Sequence, residues 1–173
     1  MGMTACLIRI PSEKLEDYLA DSEYLENDIR QLFEQTYEEG EVPHVLDLDK
    51  SWDGIIFLLC GKGLFDTNLA DQSSLSRTIL SGNLIDEEQD LGYGPAHYLT
   101  AEETASFAQR LNAITPEDLC RNFIPENMEG IYPDFWQDEG VTALEYLLYH
   151  FQQMQKFYAC AAREKQAVIG FIS

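Results

Sequence analysis

Apolar and polar positions alternate along this chain in ways that divide it into elements. The first run, MTACLIRI from Met3 to Ile10, is short, apolar and stopped by Pro11, which predicts a strand. Ser12 is then expected to cap SEKLEDYL as a helix. A second helix is predicted from Ser22, where Leu25, Ile29, Leu32 and Phe33 recur at helical spacing. Gly40 and Pro43 end it and leave a loop up to Asp47. The following stretch, DLDKSWDGIIFLLCGKG, reads as a helix with Trp52, Ile55, Ile56 and Leu59 on one stripe. Phe57, Leu58 and Cys60 make its other side apolar as well, so it belongs at the centre of the fold and not on its surface.

Beyond the closing pair Gly61 and Gly63, SSLSRTILSG predicts a short helix with Gly82 in the terminating role. Thr100 to Glu103 has the form of a capping box and starts a helix through Ala105, Ala108 and Leu111. Thr115, followed by Pro116 and two acids, starts another. The segment from Glu126 to Gly140 is irregular and acidic. After it Leu144, Leu147, Leu148, Phe151, Met154 and Tyr158 recur at steps of three and four in the most clearly amphipathic helix of the chain. AVIGFIS closes the sequence as a buried strand. The simplest packing joins the terminal strands in one small sheet covered by helices. The expectation is an α+β fold, helix-dominated, with residues 1–173 forming a single domain without linker or repeat.

Composition changes this picture in one respect. A chain of 173 residues with 45% hydrophobic content, nine Tyr, nine Phe and two Trp has ample material for a packed core. Against that background, 31 acidic and 11 basic residues leave a formal net charge of -20. Such a balance argues against nucleic acid, whose phosphates require clustered Lys and Arg, and is compatible with a basic protein partner or with solubility alone. No apolar run reaches membrane-spanning length and no signal segment opens the chain, so a cytoplasmic location is expected. Met1-Gly2 lacks the Ser or Thr at position 6 that myristoylation wants. Cys6, Cys60, Cys120 and Cys160 lie far apart, which is not the bunched spacing of a zinc site, and no metal or cofactor is expected.

Candidate chemistry lies in three places. Asp47 and Asp49 stand before the central helix with Lys50 and Trp52. An acid there serves as an N-cap, which makes the cap and core roles the first expectation and a cation or acid/base site the second. In DLGYGPAHYLT, two glycines and a proline fix a sharp loop from which Tyr93 and His97 project. IYPDFW places Tyr132 and Trp136 in an acidic loop, where they either plug the core or anchor a partner. His150 reads as a helix flank. No nucleophile elbow or H-E-x-x-H pattern identifies an enzyme.

Taken in order, D-x-D-K-x-W before a buried helix, LSRTILSG, DLGYGPAHYLT, TPEDL, IYPDFW and the terminal apolar strand resemble the YfbM-like family of bacterial proteins over nearly the whole chain. That resemblance implies a cytoplasmic bacterial protein with a compact α+β fold. The family is a domain of unknown function and brings no catalytic residues. Two functions therefore compete. One is a non-enzymatic, immunity- or decoy-like module that binds a basic protein through an acidic face between Asp86 and Glu139, where thirteen acids face only Arg110 and Arg121. The other is a small-molecule binder or enzyme with a pocket near Asp47–Trp52 and Tyr93–His97.

Overall fold

The computed structural model describes residues 2–39 and 42–173, so Met1 and the helix-breaking Gly40 lie outside the described residues. Strand β1 (Ala5–Ile10) leads into helices α1 (Ser12–Ala20) and α2 (Ser22–Glu39). Strand β2 (Val45–Asp47) and helix α3 (Trp52–Cys60) follow, then a long connection with a 3-10 turn at Leu75–Thr78. Strand β3 (His97–Leu99), α4 (Ala101–Asn112), α5 (Pro116–Asn122), α6 (Trp136–Arg163) and β4 (Ala167–Ile172) complete the order. The strands form one antiparallel sheet, β2-β1-β4-β3, with the N- and C-terminal strands at its centre. The fold is α+β and helix-dominated.

Both faces of this sheet are buried, and the period of two along each strand assigns residues to them. Ala5, Leu7, Val168 and Ile172 face the larger core, with α3, α4 and α6. Cys6, Ile8, Ile169 and Phe171 face a smaller core made by Leu15, Tyr18, Leu25 and Ile29 of α1 and α2, together with Ile85 and Ala96. Burial on both sides explains why β4 is a continuous apolar run and not an alternating one. Gly170 carries no side chain for a concrete reason: a Cβ there would collide with the Ile79 carbonyl oxygen of the segment crossing the sheet.

Several local expectations hold. Thr100 and Thr115 each form a complete capping box, with Glu103 and Asp118 respectively. Gly61 adopts the left-handed conformation at the end of α3, which is buried nearly all round. Gly82 is left-handed too but ends no helix, since the 3-10 turn before it closes at Thr78. Ser12 lies inside α1, with Pro11 at the N-cap position. Three further expectations differ. Residues 45–47, expected as loop, pair with β1 as an edge strand, because Leu7 and Ile8 offer Leu46 and Val45 a hydrogen-bonding partner that a three-residue pattern cannot reveal. The last helix begins at Trp136, inside the expected irregular stretch. It is broken at Gly140, whose backbone (φ 51°, ψ -117°) is one that essentially only glycine adopts. Phe33, placed on the inner stripe of α2, is 46% exposed and meets Phe171 only edge-on.

Candidate functional site

The carboxylates of Asp47 and Asp49 do not cap α3. Ser51 occupies that position with helical backbone angles and no side-chain cap, its hydroxyl donating instead to the Leu48 carbonyl at 2.6 Å. Asp47 ends β2 and accepts the Asp49 backbone N–H through Oδ1 at 2.6 Å. That short turn holds Asp49 at φ 47°, a left-handed conformation that Asp tolerates because of such local bonds. Asp49 Oδ2 in turn accepts the Tyr146 hydroxyl at 2.8 Å, and the same hydroxyl accepts the Lys50 N–H at 3.1 Å. The expected cap is thus corrected: the chain leaves the sheet through a turn before the helix starts, which directs both acids outward to the β2 edge.

There they border a groove of about 580 Å³. One wall is Val42, Pro43, Val45, Leu46, Asp47 and Asp49, with Arg9 of β1. The other is the face of α6 that carries Tyr149, His150, Gln153, Lys156, Phe157 and Cys160. His150 stacks edge-on against Tyr146 at 4.7 Å. Burial pushes its imidazole below the ordinary histidine range, while Asp49 and Asp47 pull it back toward the charged form. Among the described residues its Nδ1 is buried without a hydrogen-bond partner, as is Arg9 Nε. Arg9 is otherwise well held: Nη1 donates to Glu164 at 2.6 Å and to Gln166 at 2.8 Å, and Nη2 to the Pro43 carbonyl at 3.2 Å. Buried polar groups normally find partners, so two orphans lining one groove mark it as unusual. Tyr146 is raised well above the ordinary phenol value by burial and by its bond to Asp49.

Tyr93 and His97 lie elsewhere. His97 belongs to β3 and Asp47 to β2, the two opposite edges of the sheet, so the pocket expected between these segments does not form. His97 is a satisfied core residue. It is 8% exposed, its Nδ1 accepts the Gly82 N–H at 2.9 Å, and burial pushes its pKa down to about 4. Tyr93 is exposed, and its backbone N–H donates to the Ile172 carbonyl.

Trp52 and Trp136 are interior residues. Trp52 is fully buried, stacks on Tyr132 at 5.4 Å and donates from Nε1 to the Met3 carbonyl. Trp136 donates from Nε1 to the Ile131 carbonyl at 2.8 Å and packs over Gly54, where any Cβ would press into its ring. Tyr132 is half-buried against Trp52. The IYPDFW segment therefore plugs the core, because α3 presents a glycine and an aromatic surface for it to land on. Asp53 secures the same segment: its buried carboxylate accepts the Leu64 N–H at 2.6 Å and the Tyr132 N–H at 2.9 Å. Burial raises its pKa against the lowering effect of those bonds.

Three of the acids between Asp86 and Glu139 are drawn into local structure on both sides of the sheet. Asp86 accepts the Ser22 hydroxyl at the α1–α2 side of the sheet, whereas Glu103 and Asp118 serve as capping residues in α4 and α5 on the other side. Glu103 also meets the buried guanidinium of Arg77 at 3.3 Å. Caps and turns thus engage these three carboxylates locally.

Sequence reasoning missed Arg9, Tyr146 and His150 as groove residues. A signal for two of them exists: Tyr146, His150, Gln153 and Phe157 run at helical spacing one position ahead of the stripe Leu147, Phe151, Met154 and Tyr158. Among the described residues, no cluster of His, Cys, Asp or Glu has the arrangement of a metal site, and no helix is long and apolar enough to cross a membrane.

Comparison with known proteins places the architecture among relatives. Residues 1–171 match the family model described as a domain of unknown function, DUF1877. Protein YfbM of Escherichia coli (strain K12) is 28% identical over 149 residues, spanning 85% of this chain and 79% of that protein. The crystal structure of YfbM from Escherichia coli, a protein of unknown function, superposes with a TM-score of 0.73 at 21% identity. The match covers 98% of this chain and 99% of that one. At that identity the likeness concerns the fold.

Proposed function

The chain belongs to the DUF1877 family, and from that premise we propose that this protein is a non-enzymatic cytoplasmic binding module that receives a positively charged group of a basic protein in the groove between β2 and α6. One observation carries the proposal. Asp47 and Asp49 are each engaged through a single oxygen, neither serves to cap α3, and both flank a concavity walled by Tyr149, His150 and Phe157. Paired carboxylates beside apolar and aromatic walls suit a Lys or Arg side chain, whose methylenes pack along the wall while the charged head meets the acids. The chain's overall negative charge would speed the encounter with a basic surface and make it salt-dependent.

Calorimetric titration with an Arg- and Lys-rich peptide bearing an amidated C-terminus tests this at two salt concentrations. Binding is expected at low salt, weakened at high salt, and lost in the D47N/D49N double variant. Equal affinity in the double variant, or no binding at low salt, refutes it.

A second reading, a small-molecule binder or enzyme, draws on the same groove, because the hydrogen-bonded Tyr146–Asp49 pair beside His150 supplies groups that can accept or donate a proton. It no longer includes Tyr93 or His97.

A further inference from the structure

The sheet β2-β1-β4-β3 ends differently at its two sides. Beyond β3, Leu84 bridges to His97, and the N–H groups of Ile85 and Tyr98 bond across that edge, so residues 83–85 cover it. Beyond β2, among the described residues, no strand pairs. The register decides which groups β2 leaves open. Arg9 donates its N–H to the His44 carbonyl and Leu48 donates to the Ala5 carbonyl, so the even-numbered residues here turn their backbone groups toward β1. Val45 and Asp47 turn theirs away. The Val45 N–H is satisfied by the Val42 carbonyl at 2.9 Å, which leaves the Val45 carbonyl and both backbone groups of Asp47 on the open side.

Side chains alternate between the two faces. Leu46 lies with Leu7 on the face covered by α6, whereas Val45 and Asp47 lie with Ile8 and Cys6 on the other. The groove of about 580 Å³ brings this edge together with α6, since Val45, Leu46 and Asp47 line it along with Tyr149 and Phe157. Tyr149 is 56% exposed there.

We infer that the open edge of β2 takes up an extended basic segment of a partner protein as an antiparallel fifth strand. The inference rests on the proposed function and deepens it by naming the partner's conformation and sequence pattern. A residue directly opposite Asp47 exchanges two backbone hydrogen bonds with it, and the residue opposite Val45 donates a third to the Val45 carbonyl. Directly opposed residues share a face, so the one opposite Asp47 is basic and meets its carboxylate across the strands. The next residue, opposite Leu46, is apolar and lies on the α6 face. The partner therefore alternates basic and apolar residues, with the basic ones bonded to β2. Charge selects the occupant. A second copy of this chain would bring another net charge of -20 and another Asp47 to the same edge, which repulsion opposes, whereas a basic strand is attracted.

An acetylated, amidated heptapeptide that alternates lysine and valine tests this by calorimetry at low salt, beside three modified peptides. One has the same composition with its lysines and valines in two blocks, one is N-methylated at every lysine, and one at every valine. N-methylation removes a backbone donor and obstructs that side of a strand. The valine-methylated peptide is expected to bind within about twofold of the parent peptide, because its methyl groups point away from β2. The block and lysine-methylated peptides are expected to bind about tenfold or more weakly, the equivalent of one or two backbone hydrogen bonds.

Equal binding of the two methylated peptides, loss on methylating valine instead of lysine, or a block peptide as tight as the alternating one overturns the inference. So does binding of the Arg- and Lys-rich peptide without the alternating one. The proposed function still stands in these cases when binding is lost in D47N/D49N. Protein that sediments as a dimer alone and as a monomer with the peptide also overturns the inference, since a second copy then occupies the edge. Failure of the Arg- and Lys-rich peptide together with all four heptapeptides overturns both.

Discussion

His97 makes the pH dependence of stability predictable in sign and size. Its Nδ1 accepts the Gly82 N–H at 2.9 Å, so the ring must be neutral there, with its proton on Nε2. Protonating it turns an acceptor toward a donor in a site that is 8% exposed, and burial accordingly pushes the pKa from 6.5 down to about 4. Because the unfolded chain binds this proton more readily than the folded one, stability from this residue is fully present above pH 6.5 and is lost as pH falls toward 4. At 1.36 kcal/mol per pH unit the loss is about 3 kcal/mol at most. Asparagine presents an acceptor oxygen near the Nδ1 position without titrating, so His97→Asn isolates the effect. Urea unfolding of both proteins from pH 4 to pH 8, at fixed ionic strength, gives the difference in stability at each pH. That difference is expected to shift in favour of the parent by up to about 3 kcal/mol between pH 4 and 6.5 and then to level off. Common contributions, such as those of His44 and His150, cancel. A difference that stays constant across the window refutes the reasoning, since His97 would then carry the same charge folded and unfolded.

Other perturbations act through packing and hydrogen bonds. Gly170→Ala drives a methyl group into the Ile79 carbonyl and is expected to cost about 1–3 kcal/mol in chemical denaturation without changing the cooperativity of unfolding. Asp53→Ala strands the Leu64 and Tyr132 N–H groups in the interior and is expected to cost about 2–4 kcal/mol, visible as a lower thermal midpoint. Loosening of the Tyr132 segment should accompany it as faster amide exchange around residues 131–136. The D47N/D49N variant, by contrast, is expected to fold with near-parental stability while losing the peptide, which separates the groove acids from the structural ones.

Much of the fold could be read locally. The two capping boxes at Thr100 and Thr115 are interactions across three residues, so their partners are adjacent in the sequence as well as in space. The all-round apolarity of α3 and the unbroken apolar run of β4 follow from burial on every side, which the residue types record directly. The net charge of -20 is likewise a property of composition, independent of conformation. Where those charges stand is not. Asp47 and Asp49 match a helix cap as well as they match a groove wall, and what decides between them is the Tyr146 hydroxyl, nearly a hundred residues away. The same holds for Trp136, which turns inward because Gly54 of α3 leaves space for its ring, and for Tyr132, which stacks on Trp52. Sheet order separates His97 from the acids by placing β2 and β3 on opposite edges, a choice made by strand pairing and not by either strand's own residues. Hydrophobic periodicity and turn chemistry are short-range and write themselves into the chain. A binding groove is made by contacts between distant segments, and those exist only once the segments have packed.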